Sequence, residues 1–105
     1  MNREQLEAFA RVAEHGSFER AAVTLSITRG AVSLRVKALE ESLSSVLLTR
    51  DKPVVTTRAG ELLLRHVQTM RLLENTTLRQ LRGDADVARA RASRLPLARR
   101  HDRAG

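Results

Sequence analysis

The sequence predicts a mainly α-helical protein: three short helices, a β-hairpin and then one long helix. Three observations carry that expectation. Apolar residues recur at helical spacing in three successive stretches, Leu6 to Ala13, Phe18 to Leu25 and Val32 to Leu43. Two β-prone runs, Val46 to Arg50 and Val54 to Thr56, then flank the turn-forming Asp51-Lys52-Pro53. Past Thr57 the apolar residues return to helical spacing and continue to Leu81.

The first helix begins near Arg3, and Leu6, Phe9, Ala10, Val12 and Ala13 give it one apolar side. Gly16 ends it, because helices commonly close on a left-handed residue, where glycine has no Cβ to clash. Ser17 then offers its side-chain oxygen to the free backbone N–H groups of a second, short helix. That helix shows Phe18, Ala21, Ala22 and Leu25 on one side, and the paired alanines let another helix approach closely. Ser26-Ile27 makes a brief turn, and Thr28 caps a third helix from Arg29 to about Leu43. The hairpin follows, with Lys52 at its basic tip, and Thr57 caps the last helix.

If the last helix reaches Leu81 it is about 36 Å long at 1.5 Å per residue. Three short helices cannot cover so long an apolar stripe. Leu63, Val67, Met70, Leu73, Thr77 and Leu81 are therefore read as a heptad-like dimerisation seam, interrupted by Glu74. After Gly83 the periodicity fails. The last stretch holds six arginines, three acidic residues and a proline, and is read as a basic, mostly disordered tail. The Ala-Arg alternation from Val87 to Ala92 leaves room there for a turn or two of extra helix. The expected organisation is thus a domain over 1–57, a linker helix over 58–82 and a tail over 83–105.

Composition excludes several classes. The 105 residues suit one domain, and with only two aromatics, Phe9 and Phe18, its core must be built from Leu, Val and Ala. No cysteine is present, which rules out disulfides and thiolate metal sites and suits a reducing cytoplasm. The polar start predicts no signal peptide, and no apolar run is long enough to span a membrane. His15, His66 and His101 are scattered, so neither a metal site nor any cofactor is expected. No phosphate loop or nucleophile set is visible, so an enzyme is not expected either.

The formal charge of +7 is unevenly spread: residues 1–27 carry −1, residues 28–58 +3, residues 59–82 +2 and the remainder +3. A basic middle and end suit a polyanionic partner. On the third helix, steps of about 100° per residue place Val32, Val36, Leu39 and Leu43 in one narrow arc. Gly30, Ser33, Leu34 and Lys37 fall opposite, with Arg29 and Arg35 at the flanks. A small residue, a hydroxyl, an apolar side chain and cations suit a helix laid against base edges and phosphates. Two short helices, a tight turn and such a third helix make a helix-turn-helix, and the hairpin adds a wing. Lys52 is then a phosphate or minor-groove contact, while Arg50 either touches DNA or pairs with Glu40 or Asp51.

In order and spacing, Phe9, Gly16-Ser17-Phe18, Ala21-Ala22, Leu25, Thr28, Ala31-Val32-Ser33, Val36, Leu39-Glu40 and Leu43 resemble the LysR-type transcriptional regulators. The likeness continues through Leu47-Leu48-Thr49-Arg50 and Thr57-Arg58-Ala59-Gly60-Glu61, and covers about residues 3–82. Phe18-Glu19-Arg20-Ala21-Ala22 with Ile27-Thr28 is most similar to the regulators of arginine and lysine export. The resemblance implies a dimer joined through the long helix, with the third helix in the major groove of double-stranded DNA. It places base reading at Thr28, Arg29, Gly30, Ser33 and Leu34. Arg29 stands where the family commonly has Gln, Gly30 where Ser or Pro is common, and Leu34 where Gln or Arg is common. The operator is therefore expected to differ from a typical member's. Ser44 replaces a usual Gly, which implies a strained left-handed turn.

The family continues into a two-lobed effector-binding domain, of which Leu95-Pro96-Leu97-Ala98 resembles at most a first strand. The expected partners are double-stranded DNA and a second copy, and no small-molecule site is expected. A second expectation is a dimerisation module that sequesters a full-length relative as a heterodimer. The expected location is the cytoplasm, at the nucleoid when bound.

Overall fold

The computed structural model describes residues 1–93. Four helices lie in these residues: α1 (Arg3–His15), α2 (Phe18–Leu25), α3 (Arg29–Leu43) and α4 (Arg58–Ser93). The chain forms two units, the first from Met1 to Met70 and the second beginning at Arg71. The resemblance to the helix-turn-helix arrangement holds for the first unit, where α1, α2 and α3 pack pairwise.

Each helix starts on a side-chain acceptor. Asn2 takes the Gln5 N–H at 2.8 Å while the Gln5 side chain accepts the Asn2 N–H, a reciprocal capping box. Ser17 accepts from Arg20 at 3.1 Å, Thr28 from Ala31 at 3.0 Å and Thr57 from Gly60 at 3.1 Å. The ends are equally defined. Gly16 closes α1 with φ 67°, and Ser44 closes α3 with φ 50°, the left-handed turn expected there. Ser26 closes α2 in the same way at φ 57°, a strained serine that the sequence reading took for an ordinary turn.

The core is aliphatic around one ring. Ala8, Phe9, Val12, Phe18, Ala21, Ala22, Val32, Val36, Leu39, Leu47, Leu48 and Val54 form a single buried cluster. Small alanines on α1 and α2 allow close helix approach, as their spacing suggested. Leu43 departs from its expected place in the buried arc and is 37 % exposed. It sits in the last turn of α3, at an open hollow that it lines with Leu47, Ala59 and Leu63.

The wing is much reduced from the expected hairpin. Among the described residues there is no strand, only an isolated antiparallel bridge between Leu48 and Thr56. Thr49 N–H donates to the Val55 carbonyl at 2.8 Å and Thr57 N–H to the Leu47 carbonyl at 3.0 Å. The ladder stops there because its neighbouring donors are used elsewhere. Val55 N–H donates to the Thr49 hydroxyl at 3.1 Å, and Leu47 N–H turns to the Glu40 carboxylate at 2.8 Å.

The last helix is longer than expected. It continues through Gly83 to Ser93, so residues 83–93 are helical rather than part of a disordered tail. Alanine and arginine have high helix propensity, and Ala85, Ala88, Arg89, Ala90, Arg91 and Ala92 together outweigh one glycine costing about 1 kcal/mol. Asp86 and Arg89 add an ion pair one turn apart. The expectations for Leu95-Pro96-Leu97-Ala98 and the rest of the tail lie outside the described residues.

Candidate nucleic-acid interface

The α3 residues divide as their angular positions require. Val32, Val36 and Leu39 are fully buried, which fixes the opposite side toward solvent. Gly30, Leu34 and Lys37 are exposed there and Arg29 is exposed at the flank, with Ser33 and Arg35 half-buried. Leu34 is 70 % exposed, although burial would stabilise its side chain by about 2 kcal/mol. A Cβ on Gly30 would meet only the Thr28 hydroxyl at 4.0 Å, so a surface could approach closely there. Thr28 itself is committed to its capping bond.

Several cations have intramolecular partners. Arg29 Nε donates to Glu19 Oε2 at 3.0 Å, and its guanidinium carbon lies 5.4 Å from the centroid of the Phe18 ring. The same ring carries Arg50 at 5.0 Å. Two guanidinium groups at such distances each gain from the ring quadrupole. Arg50 also donates to Glu40 Oε1 at 3.1 Å, the structural alternative raised by the sequence. Arg35 pairs with Glu4 at 3.1 Å. Lys37 and Lys52 have no ion pair among the described residues.

The hydrogen bond from Arg29 holds the Glu19 carboxyl below the usual carboxylate range, with Lys52 adding a weaker electrostatic pull. The pair's contribution to stability is therefore present above that range and is lost as pH falls through the depressed folded value. Ser17, Phe18, Glu19, Arg29, Arg50 and Lys52 help to line one hollow of about 290 Å³ between the start of α2 and the wing turn. Sequence reasoning missed Glu19 and the Phe18 platform. Phe18 was legible as a core residue, but no pattern in the sequence joins Glu19 to a cation ten places on.

Along α4 the expected seam divides. Leu63 packs partly buried against the core of the first unit, and Val67 is only 5 % exposed. Val67 is thus covered within its own unit, while Leu63 keeps part of its side chain exposed. Met70 is 41 % exposed, Leu73 62 % and Leu81 59 %, with Thr77 also exposed. Leu62, Leu72, Leu78 and Val87 are further exposed apolar residues that the seam omitted. Glu74 is exposed within this surface. Among the described residues no helix is long and apolar enough to cross a membrane, and no group of side chains could hold a metal ion.

Comparison with known proteins places this arrangement. Residues 3–61 match the family described as bacterial regulatory helix-turn-helix protein, lysR family. The lysine export transcriptional regulatory protein LysG of Corynebacterium efficiens is 44 % identical over 81 residues, covering 77 % of this chain and 28 % of that protein. The HTH-type transcriptional regulator LysG of Mycobacterium bovis is 45 % identical over 87 residues, covering 83 % of this chain and 29 % of that protein. The chain thus spans under a third of the length of these relatives, which are transcriptional regulators and not enzymes. Among solved structures, full-length LysG from Corynebacterium glutamicum superposes with a TM-score of 0.76 at 44 % identity, over 80 % of this chain and 29 % of that one. The DNA-binding domain of BenM, in complex with benA site 1 DNA, superposes with a TM-score of 0.75 at 29 % identity, over 81 % of this chain and 97 % of that one. With more than half of its residues matched and the same fold in these relatives, the chain belongs to the LysR family of bacterial regulatory helix-turn-helix proteins.

Proposed function

We propose that this chain binds double-stranded DNA sequence-specifically, as the DNA-reading part of a dimeric transcriptional regulator. The observation that carries this reading is the outer side of α3. Leu34, Gly30 and Lys37 stand exposed opposite a fully buried stripe, with Arg29 exposed at its flank, on a helix long enough to enter a major groove. Arg29 is assigned to a guanine edge, Leu34 to a thymine methyl, and Ser33 with Thr28 to bases or phosphates at the helix start. Gly30 lets the backbone approach. Arg35, Lys37, Arg50 and Lys52 are assigned to the phosphate backbone, Arg35 and Arg50 by exchanging their carboxylate partners for phosphate. The fold shared with a domain solved on DNA supports the reading.

Selection of duplexes from a random pool, at near-physiological salt, tests it. A two-fold symmetric enriched site is the expected result. Enrichment of nothing, with binding that disappears as salt rises, would reduce the chain to a non-specific basic module. Changing Lys37 or Lys52 to Ala is expected to weaken all duplexes alike. Each substitution should lower the slope of log affinity against log salt by about 1. Arg29→Ala should instead relax preference at one base, with a loss of about 1–3 kcal/mol on the selected site.

Dimerisation is assigned to the exposed apolar residues of α4. Leu73, Leu78 and Leu81 are 47–62 % exposed in the second unit, and a second copy of the helix would cover such a stripe. Leu73→Glu is expected to convert the dimer to monomer in light scattering and to leave the circular dichroism of the first unit unchanged. A Leu73→Glu protein that keeps dimer mass would move the interface elsewhere.

A further inference from the structure

We propose that Glu19 is a positioning residue for base recognition: it braces Arg29 through Nε, so that the two terminal amino groups meet a guanine edge together. This rests on the reading of Arg29 as a guanine contact, and extends it to a residue on a different helix. Glu19 lies in the first turn of α2 and Arg29 in the first turn of α3, and the two are joined by the 3.0 Å bond from Nε to Oε2. The Phe18 ring lies 5.4 Å from the guanidinium carbon and supports it further. Both contacts leave the terminal nitrogens of Arg29 without a hydrogen bond among the described residues. The arginine side chain remains 60 % exposed.

Guanine offers N7 and O6 side by side in the major groove, and an arginine fork can bond both at once. An unbraced arginine must be ordered when it binds, and that cost is met in the complex. A braced one is ordered beforehand. The brace also occupies Nε, one of the donors with which a guanidinium would otherwise grip a phosphate side-on. The Glu19 carboxylate itself repels a phosphate near that point. Both effects favour the guanine edge over sequence-independent contacts, so Glu19 affects the ratio of affinities more than the affinity itself.

The test uses the whole chain and two duplexes: the selected site, and the same site with the guanine assigned to Arg29 replaced by adenine. Fluorescence anisotropy gives the ratio of their dissociation constants. Glu19→Ala is expected to reduce that ratio about fivefold, the size of a typical coupling between contacting side chains. Glu19→Gln keeps an acceptor oxygen for Nε and is expected to retain most of the ratio. In an Arg29→Ala background, Glu19→Ala should change the ratio no further. An unchanged ratio in Glu19→Ala, or an equal reduction in the Arg29→Ala background, would overturn the brace and leave the guanine reading standing. If Arg29→Ala alone keeps the guanine preference, the assignment of Arg29 fails first, and the brace with it.

Discussion

Gly60→Ala is expected to destabilise the first unit by about 3 kcal/mol or more, a large share of what a small domain possesses. At an open helical site the same change usually stabilises, by up to about 1 kcal/mol, because alanine is the better helix former. The sign reverses here because a Cβ on Gly60 would stand 2.0 Å from the Leu47 carbonyl oxygen and 3.2 Å from Thr56 Cβ. The oxygen belongs to backbone that cannot yield as a side chain does. That carbonyl already accepts the Thr57 N–H at 3.0 Å, and the Thr57 hydroxyl donates to the Val46 carbonyl at 2.6 Å. The first turn of α4 is therefore pressed against the start of the wing segment. Urea unfolding followed by circular dichroism gives the measurement, and Gly83→Ala is the control. Nothing lies within 4 Å of a Cβ at Gly83, so that change is expected to be neutral or stabilising. A Gly60→Ala midpoint at or above that of the unaltered protein would show that α4 does not dock this closely.

A loss of about 2–4 kcal/mol is expected for Glu40→Ala, through the same segment. The Glu40 side chain is 13 % exposed and its carboxylate serves three donors. Leu47 N–H donates at 2.8 Å, Leu48 N–H at 3.4 Å and the Arg50 guanidinium at 3.1 Å. Leu47 and Leu48 are each 1 % exposed, so their amides have no easy access to water once the carboxylate is gone. An orphaned buried donor costs about 1–3 kcal/mol, and charged partners raise the figure. Glu40→Gln keeps an acceptor oxygen for the amides but meets Arg50 with no charge, and should fall between the two. Equal unfolding midpoints for Glu40→Ala and the unaltered protein would mean that the amides find other partners.

The helices were legible because local chemistry sets them. Gly16, Ser17 and Thr28 mark boundaries that the structure reproduces, and the spacing of Val32, Val36 and Leu39 identified the buried side of α3. What failed was decided by non-local contacts or by sums of small terms. The hairpin shrank to one bridge because the Leu47 amide is taken by the Glu40 carboxylate, a partner that no run of β-branched residues could announce. The long helix passes Gly83 because a run of good helix formers outweighs one poor one. Val67 was read as a dimer contact from its heptad position, yet it is buried in its own unit, since periodicity identifies an apolar side and not what covers it. Of the proposed DNA contacts, the positions on α3 follow from helix geometry. The ion pairs of Arg29, Arg35 and Arg50 do not, because each joins residues from different elements.

The open space around Gly30 bears on how such a protein can change its target over generations. A side chain introduced there meets nothing but a hydroxyl at 4.0 Å, and no polar side chain is buried among the described residues. Stability is held by an oily interior, while the lettering of the outer helix is written in side chains that the interior does not feel. On the proposed reading, drift at Gly30 and Leu34 can alter the operator without loss of folding free energy. A duplicated gene could diverge in what it regulates without first passing through an unfolded ancestor.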